Sequence, residues 1–359
     1  MRHEVAETGS TRGEPVPVAS AGRTNQPKSS RRTRRSVSHV HQYQLTNRRT
    51  FPRYPTQVVE PARILAPGRE KEDAMADVQF NAVRDTYRYL RLATLVIILM
   101  LGVAVVLERE ASSCWQTSIS AYYWTAAHSI FVAALCAVGA CLIVYKGSSD
   151  TEDIVLNFSG FLAFIVAMVP TAREALCGPG LPTGYEVAAG LRNNVWAVFV
   201  AGVVAEVTTI ILQRRSDTAP RPNWTARISR LIGWVVIGLG AYTFIRNPET
   251  FQARGHNIAA PTMFVGIIVV VLLNAYTSRR SVNNPKQYAA AYLAVAISMG
   301  LTLVAIVTLS LTFKQWTHAV ILVEALLIAE FAAFWIIQTV ELWTIVDKRA
   351  LTKDADLKV

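Results

Sequence analysis

Apolar stretches recur along the chain from Tyr89 onward, about every 20–30 residues. An α-helix rises 1.5 Å per residue, so about 20 apolar residues cross the ~30 Å hydrocarbon core of a bilayer. The pattern predicts an all-α, polytopic transmembrane helical bundle of about eight spans. These spans lie at about 89–107, 123–145, 154–171, 193–212, 229–246, 258–276, 287–312 and 317–342.

The segment before the first span has no sustained apolar periodicity and carries most of the excess charge. Residues 1–74 hold 14 Lys/Arg against 7 Asp/Glu, a net of +7, whereas residues 75–359 hold 22 against 18, a net of +4. Such a segment buries too little apolar surface to offset its ordering entropy, so we expect a disordered basic arm. Residues 1–86 are therefore predicted to be this arm and a juxtamembrane segment, residues 87–345 the bundle, and residues 346–359 a cytoplasmic tail.

Alternatives exist for the arm. The run Arg31-Arg32-Thr33-Arg34-Arg35 also fits a nucleic-acid arm, an anionic-lipid anchor or a transit peptide. Met75 opens directly onto a helical juxtamembrane segment, so it is equally an expected start, with residues 1–74 a mis-assigned extension.

The distribution of Lys and Arg predicts the orientation. With the N-terminus inside, the inner segments carry 16 Lys/Arg and the outer segments carry 6, as the positive-inside rule requires. We therefore expect both termini in the cytoplasm and a multi-pass protein of the plasma membrane. The distribution of positive charge is then explained by the orientation of the protein in the membrane. The predicted partner is the lipid bilayer rather than nucleic acid.

Four cysteines fall into two groups. Cys136 and Cys141 lie inside the second predicted span, where they behave as small apolar residues. Cys114 and Cys177 fall in the first and second outer loops, the compartment in which disulfides persist. They are candidates for a disulfide, and the alternative is two free thiols at the membrane interface.

Ionisable groups inside spans are costly, so each needs a role or a partner. The candidate intramembrane polar site comprises His128, Arg173, Glu206, His256, His318, Glu324 and Glu330. All of these except Glu206 and Glu330 are predicted to share the outer leaflet depth. Depth alone does not establish that they converge laterally.

Three hypotheses compete for this outer group. His128, His256 and His318 with a carboxylate could bind zinc, although they come from separate helices without HxxxH or HExxH spacing. Together with Glu206 and Glu330, the group could instead form a proton or substrate path through the bundle. The third hypothesis is interhelical hydrogen bonding and ion pairing, such as Arg173 with Glu324.

Two further polar patterns concern helix packing. Glu330 and Glu341 are eleven residues apart, about 20° in helical projection, with Gln338 nearby on that side. This stripe predicts either a pore-facing seam or a seam hydrogen-bonded to another helix. Asp150, Glu152 and Asp153 are expected to cap the third helix, whose N-terminus favours negative charge.

Three segments carry a resemblance to a known family: Ser118-Ile-Ser-Ala-Tyr-Tyr-Trp-Thr125, Ser149-Asp-Thr-Glu-Asp-Ile-Val-Leu-Asn157 and Phe334-Trp-Ile-Ile-Gln-Thr-Val-Glu-Leu-Trp343. They resemble a family of uncharacterised multi-pass membrane proteins of actinobacteria. The resemblance covers about Tyr87 to Trp343 and implies a bacterial inner membrane, but no activity. The membrane histidines also resemble those of the ceramidase and adiponectin-receptor hydrolases, but the terminal HxxxH of that superfamily is missing, since Leu322 stands four residues after His318.

The sequence predicts no cofactor, because it contains no nucleophile elbow, dinucleotide fingerprint or haem-attachment motif. The leading expectation is transport or small-molecule handling through the bundle. The alternatives are a membrane-embedded metal-dependent hydrolase and a structural or partner-binding membrane protein. An enzymatic activity is not predicted.

Overall fold

A computed structural model describes residues 67–173, 177–178, 180–181, 187–216, 223–280, 284–312 and 318–344. Residues 1–66 of the predicted disordered arm and the predicted tail at 346–359 lie outside these residues, whereas residues 67–74, which were also predicted to be disordered, belong to a helix. Every regular element that the structure describes is helical, which confirms the predicted fold class. The elements are α1 (Pro67–Ser112), a 3₁₀ helix (Ser120–Trp124), α2 (His128–Val144), α3 (Asp150–Met168), α4 (Val187–Arg215), α5 (Trp224–Arg246), α6 (Pro248–Ser278), α7 (Pro285–Thr312) and α8 (Ala319–Glu341).

Seven of these α-helices are long and apolar enough to cross a membrane, and the exception is α2, with 17 residues. The prediction of one continuous span at 123–145 is therefore wrong in its bounds. The chain turns at Thr125, whose backbone N–H and hydroxyl both donate to the Tyr122 carbonyl and end the 3₁₀ helix there. Each of the other seven helices overlaps a predicted span, but α1 and α6 begin 22 and 10 residues before theirs, at Pro67 and Pro248.

The start of α3 shows how local chemistry fixes a helix end. The hydroxyl of Ser149 accepts the backbone N–H of Glu152, as an N-cap does. The carboxylates of Glu152 and Asp153 accept the backbone N–H groups of Ser148 and Gly147. The helix therefore begins at Asp150, four residues before the predicted span, with the expected acidic residues in its first turn.

The two ends of the bundle are marked by contacts between distant segments. At one end, Cys114 and Cys177 form a disulfide with 6.1 Å between their Cα atoms. At the other end, the Arg91 guanidinium donates to the Leu342 carbonyl at 3.1 Å and to the Tyr145 hydroxyl at 3.4 Å. We call these the disulfide end and the Arg91 end. Because Cys114 precedes α2 and Tyr145 follows it, α2 runs from one end to the other despite its length.

Six helices form a closed ring in the order α1, α2, α3, α6, α7, α8 and back to α1. Helices α4 and α5 lie outside this ring; α5 packs against α3 and α6, and α4 packs against α3. Small residues allow the closest approach, since a Cβ atom on Gly160 of α3 would lie 2.6 Å from the carbonyl oxygen of Gly139 on α2. An apolar cavity of about 50 Å³ lies between α1, α2, α6 and α8.

The distribution of side chains is that of a membrane protein. Large apolar side chains are exposed on the outward faces, for example Val204 of α4, Leu239 of α5 and Leu301 of α7, at 58%, 62% and 66%. Polar side chains such as Arg91, Glu152 and Asn274 are fully buried instead. Exposed apolar surface on this scale is unfavourable in water and favourable against lipid. The protein is an integral, multi-pass, all-α membrane protein.

Candidate functional site

The carboxylate of Glu324 lies at the N-terminus of the 3₁₀ helix, at the disulfide end. It accepts the backbone N–H of Ile119 at 2.5 Å and that of Ser120 at 3.3 Å, and it also contacts the Ser120 hydroxyl at 3.3 Å. The first N–H groups of a helix have no partner within the helix. Glu324 of α8 therefore satisfies them and fastens the 3₁₀ helix to the ring.

His256 of α6 contacts the same serine from another side. Its Nε2 atom is 2.9 Å from the Ser120 hydroxyl, and its Nδ1 atom is 2.8 Å from the carbonyl oxygen of Val169. Val169 follows the last residue of α3. His256 is only 5% exposed. Because of these two contacts, protein groups rather than water satisfy both ring nitrogens. We call His256, Ser120 and Glu324 the Ser120 relay.

Proton counting shows what this relay can do. A carbonyl oxygen only accepts hydrogen bonds, so Nδ1 of His256 carries a hydrogen. The Ser120 hydroxyl lies between Nε2 and the Glu324 carboxyl, so one further proton can be held in either of two arrangements. Either a neutral carboxylic acid donates to the hydroxyl, which donates to Nε2, or an imidazolium donates to the hydroxyl, which donates to a carboxylate. Both arrangements hold the same number of protons, and a concerted shift of one proton along each of the two hydrogen bonds converts one into the other, which transfers a net proton between α8 and α6.

A cleft of about 430 Å³ opens beside the relay. We call it the disulfide-end cleft, and its lining comprises Trp124, Pro170, Thr171, Ala172, Arg173, Glu249, Gln252 and Ala253. The Arg173 guanidinium lies 5.3 Å from the centre of the Trp124 ring and donates to the Leu181 carbonyl. Gln252 precedes His256 by one helical turn, and Pro170 follows Val169 directly. The cleft and the relay therefore share the same two chain segments.

The remaining residues predicted for the outer group do not join the relay. Nδ1 of His128 is 2.6 Å from the Tyr123 carbonyl, and its ring packs edge-on against Tyr123. His318 is exposed at the start of α8. Arg173 contacts Trp124 and Leu181, so the predicted ion pair between Arg173 and Glu324 is wrong.

The three histidines do not assemble a metal centre. Within the part of the chain that the structure describes, which includes His128, His256 and His318, no group of three or more His, Cys, Asp or Glu side chains is placed to hold a metal ion. His256 instead uses both nitrogens on Val169 and Ser120. The geometry therefore offers no support for the metal-dependent hydrolase.

Glu330 lies at the middle of α8 and faces α7. One carboxyl oxygen accepts hydrogen bonds from the Ser298 and Thr302 hydroxyls. The other, Oε2, is buried and has no hydrogen-bond partner among the described residues. Glu206 is half-buried on α4, outside the ring. The structure thus places Glu330, but not Glu206, within the ring of helices.

A second polar network holds the Arg91 end together. The fully buried Glu152 of α3 accepts from the Asn274 amide of α6 at 2.6 Å, and Asn274 in turn accepts from Gln338 of α8 at 3.2 Å. Glu341 accepts from the Tyr292 hydroxyl of α7 at 2.6 Å. Of the two hypotheses for the α8 stripe, the structure supports the seam hydrogen-bonded to neighbouring helices.

Sequence reasoning missed several of these residues. Nothing in the sequence distinguishes Ser120 from Ser118. Only the packing of α6 and α8 brings His256 and Glu324 into contact with Ser120. Asn274 carries a weak indication, since it is an amide inside an otherwise apolar span. Comparison with protein-family models, curated proteins and solved structures finds no match to this chain. The function of the protein is therefore inferred from the geometry of the Ser120 relay, the disulfide-end cleft and Glu330.

Proposed function

We propose that this protein is a transporter that moves a small solute through the six-helix ring together with protons. The observation that carries the proposal is the Ser120 relay. A buried histidine and a half-buried glutamate are joined through one hydroxyl, within one helical turn of a cleft. Ionisable groups buried in a membrane bundle are expensive, and proton relays of His and Glu are a common reason for them.

Glu330 supports a proton path deeper in the bundle. It follows Glu324 by six residues, about 9 Å along α8, and precedes Gln338 by eight, about 12 Å. Its Oε2 atom, which has no hydrogen-bond partner among the described residues, can take up a proton or a cation. The relay, Glu330 and the network at the Arg91 end thus supply polar groups at successive depths of the membrane.

Two independent features support the orientation. Disulfides persist on the oxidising side of a membrane, so the Cys114–Cys177 bond supports an outer position for the disulfide end. The positive-inside distribution of Lys and Arg favours the Arg91 end and both termini in the cytoplasm. The resemblance to actinobacterial membrane proteins supports the bacterial plasma membrane as the location.

Proton movement in reconstituted vesicles tests the proposal. Proteoliposomes with an internal pH-sensitive dye receive a defined mixture of amino acids, sugars, nucleosides and carboxylic acids at millimolar concentration. We expect one class of solute to change the internal pH with wild-type protein, and Glu324→Gln to abolish the change because an amide cannot exchange the proton. Glu110→Gln, at an exposed carboxylate beyond the relay, is the matched control. A wild-type response that Glu324→Gln retains in full would refute the assignment.

A further inference from the structure

We propose that the disulfide-end cleft binds a small zwitterion, a molecule of the α-amino acid type with one carboxylate and one ammonium group. This inference rests on the proposed function and names its substrate class. It comes from the juxtaposition of one cation and one anion, Arg173 and Glu249, in the lining of a single cavity.

Arg173 supplies the group for the carboxylate. Its guanidinium carries five N–H donors in a planar fork, and the hydrogen bond to the Leu181 carbonyl occupies Nη2. The guanidinium also lies 5.3 Å from the centre of the Trp124 ring, which lines the same cleft. A guanidinium held in this way has donors left for a carboxylate, which it binds more specifically than an ammonium would.

Glu249 supplies the group for the ammonium. It lies in the first turn of α6, and its side chain is exposed to the cleft. Among the described residues, neither Arg173 nor Glu249 takes part in an ion pair. Two opposite charges that line one cavity without neutralising each other match a ligand that carries both charges.

The size and the remaining walls restrict the ligand. A volume of about 430 Å³ is at the small end of the range for ligand pockets. Pro170, Ala172 and Ala253 are small apolar residues that can contact a hydrocarbon side chain, and Gln252 adds an amide. The cleft therefore fits a single amino acid or a molecule of similar size, rather than a polymer.

The position of the cleft couples binding to the relay. Gln252 and His256 lie on the same face of α6, and the Val169 carbonyl that orients His256 is bonded to Pro170 in the cleft wall. A ligand that shifts either segment changes the distance between His256 and Ser120. Binding in the cleft and proton position in the relay are thus physically linked.

Equilibrium binding to the full-length protein in detergent tests the inference. Isothermal titration with glycine, L-leucine and L-phenylalanine should show that at least one binds. If L-leucine binds, 4-methylpentanoate lacks its ammonium and 3-methylbutylamine lacks its carboxylate, so both should bind at least tenfold more weakly. The same comparison applies to the deaminated and decarboxylated forms of L-phenylalanine. If no amino acid binds, or if the single-charge analogues bind as tightly, the inference is overturned.

Two variants assign the charges. Arg173→Gln and Glu249→Gln should each weaken amino acid binding at least tenfold. Arg173→Gln should leave the binding of the amine analogue unchanged, and Glu249→Gln should leave the binding of the carboxylate analogue unchanged. Both residues are exposed, so both variants should fold. Arg254→Gln, at an exposed cation of α6 outside the cleft lining, is the control and should bind like the wild type. Equal binding by all three variants contradicts the assignment.

The two proposals fail separately. If protons move with another class of solute while amino acids do not bind, the zwitterion site is wrong and the transporter stands. If amino acids bind but no solute moves protons, the transporter is wrong and the binding site stands.

Discussion

The contact between Glu324 and the 3₁₀ helix allows structure and chemistry to be separated with two substitutions. Glu324→Ala removes the acceptor of the Ile119 and Ser120 backbone N–H groups. Those residues are only 8% and 9% exposed, so water cannot replace the carboxylate fully. An unsatisfied buried donor costs about 1–3 kcal/mol, which gives a loss of about 2–6 kcal/mol for two.

Glu324→Gln should behave differently. Its amide oxygen can still accept both backbone N–H groups, and its amide nitrogen can donate to the Ser120 hydroxyl. This reproduces the arrangement with a neutral carboxylic acid, so we expect a loss below about 1.5 kcal/mol. The glutamine cannot adopt the carboxylate arrangement, so it retains the fold and loses the proton exchange.

Unfolding in detergent, followed by tryptophan fluorescence, measures the difference. Trp124 lies inside the 3₁₀ helix and contributes to this signal together with the other seven tryptophans. The alanine variant should unfold at a clearly lower denaturant concentration than the glutamine variant. If the two variants are equally stable, Glu324 does not fasten the 3₁₀ helix, and the reasoning is wrong.

Two further predictions concern packing and the disulfide. Gly160→Ala places a Cβ atom 2.6 Å from the backbone oxygen of Gly139, so it should destabilise the protein by about 1–3 kcal/mol. A Cβ atom on Gly238 would have no heavy atom of another residue within 4 Å, so Gly238→Ala should leave the stability unchanged or raise it by up to about 1 kcal/mol. Thermal unfolding measures both variants. A stability change in the same direction for both would contradict the close approach of α2 and α3. Mass spectrometry of non-reduced tryptic peptides should find Cys114 and Cys177 in one linked species, and two separately alkylated cysteines would contradict the bond.

The sequence predicted the helices well because membrane thickness sets their length and apolarity marks them. It failed at the start of α2, where Tyr122, Tyr123 and Trp124 count as apolar but form a separate buried 3₁₀ helix. Hydropathy does not detect a turn such as the one at Thr125, because the turn depends on hydrogen bonds to one carbonyl.

For the candidate site, the sequence predicted only how deep each residue lies in the membrane. His256 and Glu324 were both expected near one membrane surface, and the structure joins them through Ser120. Lateral convergence depends on which helices are neighbours in the ring, and the apolar periodicity of a span does not encode this. For the same reason His128 and His318 shared the predicted depth but lie outside the relay.

Substitution of Ser120 is the decisive test of the proposed proton relay, because among the described residues this hydroxyl alone contacts both His256 and Glu324. The measurement is solute-driven proton uptake into proteoliposomes that contain wild type, Ser120→Ala or Ser120→Thr, each shown to be folded by its unfolding transition. We expect that alanine abolishes proton uptake and that threonine, which keeps a hydroxyl, retains part of it. Proton uptake by Ser120→Ala at the wild-type rate would contradict the account.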